Sequence, residues 1–364
     1  MNSNIILCLI MIVLIIIIVN QYYSIKKLNK KLLLLKKGNE TLYSIENESS
    51  MSGLCDVMLS IAIDLIPYAE KGSMLILEDD DKFHFKAIRG FSKELKNISL
   101  DREEVFLHET SNFRDTVIIN NPSNFDERYM NTEKKYIFEN FNALNIKCTL
   151  SSPIYVDKNL IGVINLDSIN PNKMFTKVDM ETMNYIRNEF ELILKNFIIQ
   201  EELRHMANYD DLTGIYNRRR FRYIFNNQLS YTRKNNTRLC LALIDIDDFK
   251  SINDKYGHNI GDEALKHFTH VLKRQVKDMG TYARISGDEF VVLFKGCSES
   301  EAKEILSNMK KLLAQEKLKD IKVNFSYGVC EITNEKMLSI DEILEIADKN
   351  MYKNKKTKCK NINI

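Results

Sequence analysis

The sequence carries almost no net charge. Its 52 lysines and arginines against 50 aspartates and glutamates leave +2 over 364 residues. A protein that grips nucleic acid through its phosphates needs a basic excess, so no nucleic-acid partner is expected. The chain also lacks any Cys-x-x-Cys pair or His cluster near its seven cysteines, Cys8, Cys55, Cys148, Cys240, Cys297, Cys330 and Cys359. That odd, scattered set argues against zinc or disulfide frameworks and fits reduced thiols. With 44% hydrophobic and 28% charged residues, wholesale disorder is excluded. The length allows two ordinary domains plus connectors.

Residues 5–19 form one unbroken apolar run without a basic stretch before it or a small-x-small site after it, which argues against a cleaved signal peptide. At ~1.5 Å per residue the run covers roughly 22 Å of a hydrocarbon core about 30 Å thick. Uncharged flanks out to Tyr23 make up the difference, and Tyr22 and Tyr23 suit an interfacial belt. Lys26, Lys27, Lys30, Lys31, Lys36 and Lys37 follow at once. Residues 1–23 therefore read as a single-pass anchor in the cell membrane, with everything after it in the cytoplasm. Ile25, Leu28, Leu32, Leu35, Leu42 and Ile45, with Asn39 in the gap, trace a heptad seam, so 24–50 reads as a juxtamembrane coiled coil and the chain as a homodimer.

The chemistry concentrates in two acidic stretches. The stretch from Leu239 to Phe249 reads as an apolar strand ending in Asp245 and Asp247, which point the same way because strand side chains repeat every second residue. Further on, Ser286-Gly287 reads as a hairpin turn followed by Asp288 and Glu289 and by a strand, Phe290 to Phe294, apolar on both faces. Acids at the mouth of a buried hairpin are costly without cations or a reaction to run. Strand-end carboxylates suit Mg²⁺ shared with substrate phosphates, the arrangement of two-metal phosphoryl transfer.

Asp288-Glu289-Phe290 preceded by Ser286-Gly287 resembles the signature of GGDEF-type diguanylate cyclases. Asp210-Asp211-Leu-Thr-Gly-Ile-Tyr-Asn-Arg218 is similar to that family's entry motif. Asp245-Ile-Asp-Asp-Phe-Lys-Ser-Ile-Asn253, then Tyr256-Gly-His-Asn-Ile-Gly-Asp262, is similar to its metal and guanine motif. The resemblance implies a catalytic domain at 209–364 that condenses two GTP into cyclic di-GMP and pyrophosphate, as a homodimer. It implies Mg²⁺ or Mn²⁺, two per active site, at Asp245, the Ile246 carbonyl and Asp288. Asp288 and Glu289 become the catalytic acids, and Lys250, Asn253, His258, Asp262, Gly287 and Lys355 the substrate-binding residues. A carboxylate such as Asp262 pairs with the two adjacent N–H donors of guanine, which adenine lacks.

The sequence departs from the family pattern at three places. Ser286 stands for a glycine, Cys359 stands where an arginine is usual, and Lys277-Asp278-Met279-Gly280 replaces the Arg-x-x-Asp motif of product inhibition. Lysine cannot offer arginine's bidentate fork, so tight product feedback is not expected.

Residues 51–197 read as an α/β domain: a helix over 54–66, strands over 73–77 and 83–88, and a hairpin within 150–166 turning at 157–159. That hairpin, with Phe175-Thr-Lys-Val-Asp179 capping the next helix, resembles the end of a GAF domain, which implies a sensor binding an unnamed small ligand. Met183, Ile186, Phe190, Ile193 and Phe197 stripe the helix that follows, and 198–208 read as a signalling helix into the next domain. The expected class is thus α/β (α+β), with an N-terminal transmembrane helix, a GAF-like mixed sheet and a cyclase-like sheet containing antiparallel strands and flanked by helices. The competing reading is a catalytically weak GGDEF protein serving as a GTP- or cyclic-di-GMP-linked regulatory or dimerisation module.

Overall fold

The computed structural model describes residues 50–362 apart from 130–131, 141–144, 317, 319–320 and 334–337, together with residues 11, 13–15, 17, 18 and 21. Among the described residues no helix is long and apolar enough to cross a membrane. Most of the expected anchor, the seam from Ile25 to Ile45, and Cys8 lie outside them. The described members of the apolar run are helical, and Met11, Val13, Leu14, Ile15, Ile17 and Ile18 are 47–59% exposed.

The chain divides into two compact units, Met1–Ile199 and Gln200–Ile364. In the first, α1 (Met51–Leu65) starts where the Ser50 hydroxyl accepts from the Gly53 amide and buries Leu54, Met58, Leu59 and Leu65. The sheet comprises β1 (Lys71–Leu77), β2 (Phe83–Arg89), β3 (Ser99–Leu100), β4 (Val117–Asn120), β5 (Cys148–Val156) and β6 (Asn159–Ser168), ordered β3-β2-β1-β6-β5-β4. Short helices α2 (Phe106–Ser111), α3 (Ser123–Tyr129) and α4 (Thr132–Asn140) lie between β3 and β5 in sequence.

Every described ladder of this sheet is antiparallel, which corrects the mixed sheet expected from the sequence. Hairpins join β1 to β2 and β5 to β6, and β6 then returns beside β1 running the opposite way. Strand alternation splits the core in two. Met74, Ile76, Ile164 and Leu166 face α1 and α5 (Lys177–Asn208), whereas Leu75, Phe83, Phe85 and Val163 face Leu107 and Phe138. Asp179 caps α5 by accepting from the Thr176 amide and hydroxyl at 2.8 and 2.7 Å, and the stripe from Met183 to Phe197 is buried. Cys55, Cys148, Cys240, Cys297 and Cys330 are free, buried thiols.

The second unit holds β7 (Tyr216–Asn217), α6 (Arg218–Asn235), β8 (Leu239–Ile246), α7 (Phe249–Tyr256), α8 (His258–Val276), β9 (Gly280–Ser286), β10 (Glu289–Lys295), α9 (Glu299–Gln315), β11 (Phe325–Ile332) and α10 (Ile340–Ile362). Its sheet is ordered β11-β8-β10-β9-β7, antiparallel except for β7 beside β9.

The central strands read apolar throughout because both faces are covered. Cys240, Ala242, Ile244, Phe290 and Val292 pack with Phe268 of α8 and Leu306 of α9. Leu241, Leu243, Val291 and Leu293 pack with Phe221 and Phe225 of α6 and Ile343 and Ala347 of α10. Each valine, leucine, isoleucine and phenylalanine among them contributes about 1.5–3 kcal/mol on burial, so the strand ends are held on a rigid platform.

Candidate active site

Three strands end side by side at one edge of that platform. Asp245 pairs across the ladders with Glu289 of β10 and Ser326 of β11. Odd-numbered residues of β8 and β10 face α10, so Asp245 and Glu289 share that face where the apolar packing stops. Asp288 sits in the turn just before β10, and its carbonyl accepts from the Ile246 amide at 3.2 Å. Asp247, two residues past Asp245, is fixed by its amide on the Asn324 carbonyl at 2.9 Å and by the Ser326 hydroxyl on its carboxylate at 2.6 Å.

Lys355 reaches this group from α10. Its Nζ lies 2.6 Å from Asp245 Oδ1. Burial works against the ammonium, but the Asp245 hydrogen bond and the charges of Asp245, Asp247 and Asp288 outweigh it and lift the Lys355 pKa above the ordinary lysine value. The Asp288 carboxyl is pushed up, first by burial and then by the charges of Asp245 and Glu289, against the pull of Lys355. A compressed cluster of negative charge with one ammonium beside it is a demand for further cations.

The turn has its own support. Gly287 has φ +37°, in the left-handed region that a glycine adopts freely. Ser286 keeps a negative φ, and its hydroxyl donates to Glu289 Oε2 at 2.6 Å. Arg284 donates to the Gly287 carbonyl at 2.8 Å and to both oxygens of Asp210 at 3.1 and 3.2 Å. Asp210 also accepts from the Thr213 amide and hydroxyl. Burial would raise the Asp210 carboxyl, yet the Thr213 bonds and Arg284 hold it below the usual range. The entry motif thus braces the hairpin turn through one arginine.

The remaining expected residues lie on α7 and α8. Asn253 and Asp262 are brought near each other by Gly261: a Cβ there would stand 1.9 Å from Asn253 Oδ1. Asn253 is half-buried and Asp262 exposed. Lys250, in the first turn of α7, is exposed, as is His258 at the first position of α8. The strand ends therefore gather Asp245, Ile246, Asp288, Glu289 and Lys355, while Asn253 and Asp262 form a second, adjacent pair on the helices.

Sequence reading did not find Arg284, Ser326 or the Ser286–Glu289 bond. Arg284 sits between Ala283 and Ile285 in an apolar strand, a position where a charge needs a reason; Ser326 left no such signal.

Among the described residues no group of three or more His, Cys, Asp or Glu side chains is arranged to hold a metal ion by itself. The donors present are nevertheless hard oxygens, two of them carboxylates at adjoining strand ends. That fits Mg²⁺ or Mn²⁺ completed by water and substrate phosphate better than a closed protein cage.

The second unit is thus a three-layered α/β arrangement with carboxylates at the mouth of its central hairpin, a donor set suited to phosphate chemistry. Residues 207–361 match the family described as "Diguanylate cyclase, GGDEF domain". The probable diguanylate cyclase DgcC of Escherichia coli (strain K12) is 34% identical over 160 residues, 43% of this chain and 43% of that protein. The diguanylate cyclase DosC of the same organism is 28% identical over 193 residues, 52% of this chain and 41% of that protein. The chain thus spans less than half the length of these curated relatives. Among solved structures, the coiled coil and GGDEF domain of DgcB from Caulobacter crescentus, in complex with c-di-GMP, superposes with a TM-score of 0.44 at 24% identity, over 48% of this chain and 95% of that one.

Proposed function

We propose that this chain is a membrane-anchored diguanylate cyclase that condenses two GTP into cyclic di-GMP and pyrophosphate as a homodimer. Residues 209–364 carry the catalysis and residues 51–197 a GAF-type sensor that regulates it. The observation that carries the catalytic reading is the meeting of Asp245 and Asp288 at the ends of β8 and the β9–β10 turn, with Lys355 2.6 Å from Asp245. The sensor reading is supported by the six-stranded sheet with helices on both faces, and the anchor by the apolar run at 5–19 followed by lysines.

In this reading Asn253 and Asp262 take the guanine edge, Asp262 accepting from its two N–H donors. Lys250 and Lys355 meet the phosphates, with Lys355 moving from Asp245 onto the incoming nucleotide. Gly287 leaves backbone exposed beside the phosphates because no side chain covers it. Asp245, Asp288 and the Ile246 carbonyl would hold divalent cations, which would supply charge neutralisation during phosphoryl transfer. The 3′-hydroxyl of one GTP attacks the α-phosphate of the other and pyrophosphate departs; a second round closes the ring. Asp288 and Glu289 act as a coupled pair of acids that receives the hydroxyl proton. His258, exposed at the start of α8, lies beside the guanine pair in sequence and completes that edge of the site.

Incubating the full chain in detergent with GTP and Mg²⁺ is expected to yield cyclic di-GMP, and Asp288→Asn to lower the rate by about 10³-fold while leaving GTP binding in place. GTP bound without turnover by the wild type would sink the cyclase reading.

A further inference from the structure

The first unit contains a pocket that none of the catalytic chemistry uses. It is a cavity of about 60 Å³ on the face of the sheet opposite α1 and α5. That is several times the ~10–15 Å³ that a single water needs, so it has room for a small organic molecule. Four phenylalanines, Phe85, Phe91, Phe106 and Phe138, line it together with aliphatic side chains. Phe85 and Phe138 stand 6.3 Å apart between ring centroids with their planes tilted by 54°.

One end of this pocket is polar, and it is built from the sheet. Ser73 of β1 and Asn165 and Asp167 of β6 all line the cavity. The ladders set Ser73 opposite Asn165, and Thr149 opposite Asp167. Asn165 Oδ1 accepts from the Ser151 hydroxyl at 2.6 Å and its amide nitrogen donates to Ser73 Oγ at 3.4 Å. Asp167 is 2% exposed and accepts a 2.6 Å hydrogen bond from the Thr149 hydroxyl. Glu104 also lines the cavity, but Lys134 pairs with it and the Asp101 amide donates to it, so its charge is met locally.

Asp167 is different. Burial pushes its carboxyl up to about 7, and neither the Thr149 hydroxyl nor the charge of Lys71 on β1 offsets that cost. A carboxylate whose ionisation the fold opposes, at the head of an aromatic-walled cavity, is a site whose missing component is a positive charge. Aromatic faces around a desolvated cation add to the attraction, a preference that anions and neutral molecules do not share.

We infer that this cavity binds a small organic cation, a protonated primary amine with an apolar body, its ammonium on Asp167 and Asn165 and its body among the phenylalanines. The ammonium donates to the Asp167 carboxylate and to Asn165 Oδ1; the Ser73 hydroxyl turns toward a remaining N–H. Glu104 stays with Lys134. The inference deepens the sensor reading of residues 51–197 by naming its ligand class, and it is independent of the cyclase reading, since binding is measured whether or not GTP is turned over.

The test is calorimetric titration of the full chain, in detergent, with isobutylamine and benzylamine, set against benzyl alcohol and benzoate as neutral and anionic counterparts. An amine is expected to bind with a dissociation constant of about 1 mM or below, at least tenfold more tightly than benzyl alcohol, with no benzoate binding. In Asp167→Asn the preference for amine over alcohol is expected to disappear. The wild-type comparison stands even if that variant folds poorly. Failure of both amines to bind, benzoate or the alcohol binding as well as an amine, or an undiminished amine preference in Asp167→Asn would each overturn the assignment.

Discussion

Lys355 and Asp167 show how far a single side chain can be asked to work. Lys355 sits on Asp245 at 2.6 Å and so holds, in the free protein, a positive charge where substrate and cations are to arrive. Lys355→Met is expected to lower kcat/KM for GTP by about 10²-fold, read by initial rates across GTP concentrations, because one preorganised charge at the phosphates is lost. Stability should change little, since the residue is half-exposed and most such substitutions are mild.

Asp167 gives the opposite balance. Its pKa rises from 3.8 unfolded to about 7 folded. As pH rises the unfolded chain releases this proton first, so the group's cost to the fold grows from about pH 4 and is complete above about pH 7. Asp167→Asn is therefore expected to raise stability at about pH 8 by on the order of 4 kcal/mol, and hardly at all at about pH 4. Urea unfolding at the two pH values checks it; an equal effect at both would show that ionisation is not the cause.

At the scale of elements, glycines set the spacing between helices and their neighbours. A Cβ at Gly328 of β11 would stand 1.9 Å from the Ala347 carbonyl and 2.4 Å from the Met351 amide of α10. Gly328→Ala must push α10 off the sheet, at about 2–3 kcal/mol of overpacking, and with it move Lys355. The expected result is a lower denaturation midpoint together with weaker GTP binding. Gly261→Ala separates the two effects. Its helix gains up to ~1 kcal/mol in propensity, while the new Cβ displaces the Asn253 side chain 1.9 Å away. KM for GTP is expected to rise about tenfold with the denaturation midpoint unchanged or higher.

These contacts also mark the limit of what the sequence reveals. β8 and β10 were legible because a run such as Leu239–Ile246, apolar on both faces and ending in acid, suits a buried central strand and little else. The turn at Gly287 was legible for its chemistry. The Lys355–Asp245 pair joins residues 110 positions apart, and no local pattern encodes such a meeting. Asp167 was invisible for a related reason: Asn165-Leu-Asp167 reads as an alternating strand with a wet face, and only the helices placed over that face make it dry.

At the scale of the whole molecule the chemistry outruns one chain. Each chain gathers one set of Asp245, Asp288 and Lys355, whereas the proposed product needs two nucleotides, each attacking the other's α-phosphate. In that reading the second set comes from a second copy. Leu192, Ile199 and Met206 on α5 recur every seven residues and are 51%, 41% and 65% exposed, the spacing of a helix seam that a second helix covers. The seam read at Ile25 to Ile45 in the sequence has the same period, as the proposed parallel pairing requires. Specific activity is accordingly expected to fall on dilution, the rate scaling with the square of protein concentration when chains are dilute and linearly when they are concentrated. Ile199→Asp with Met206→Asp, which places like charges along the seam, should shift that crossover to at least about tenfold higher concentration without altering the rate at saturation. A specific activity that stays constant over a broad dilution series, with the paired variant no different, would mean that one chain completes the reaction alone, and the requirement for facing sites would be withdrawn.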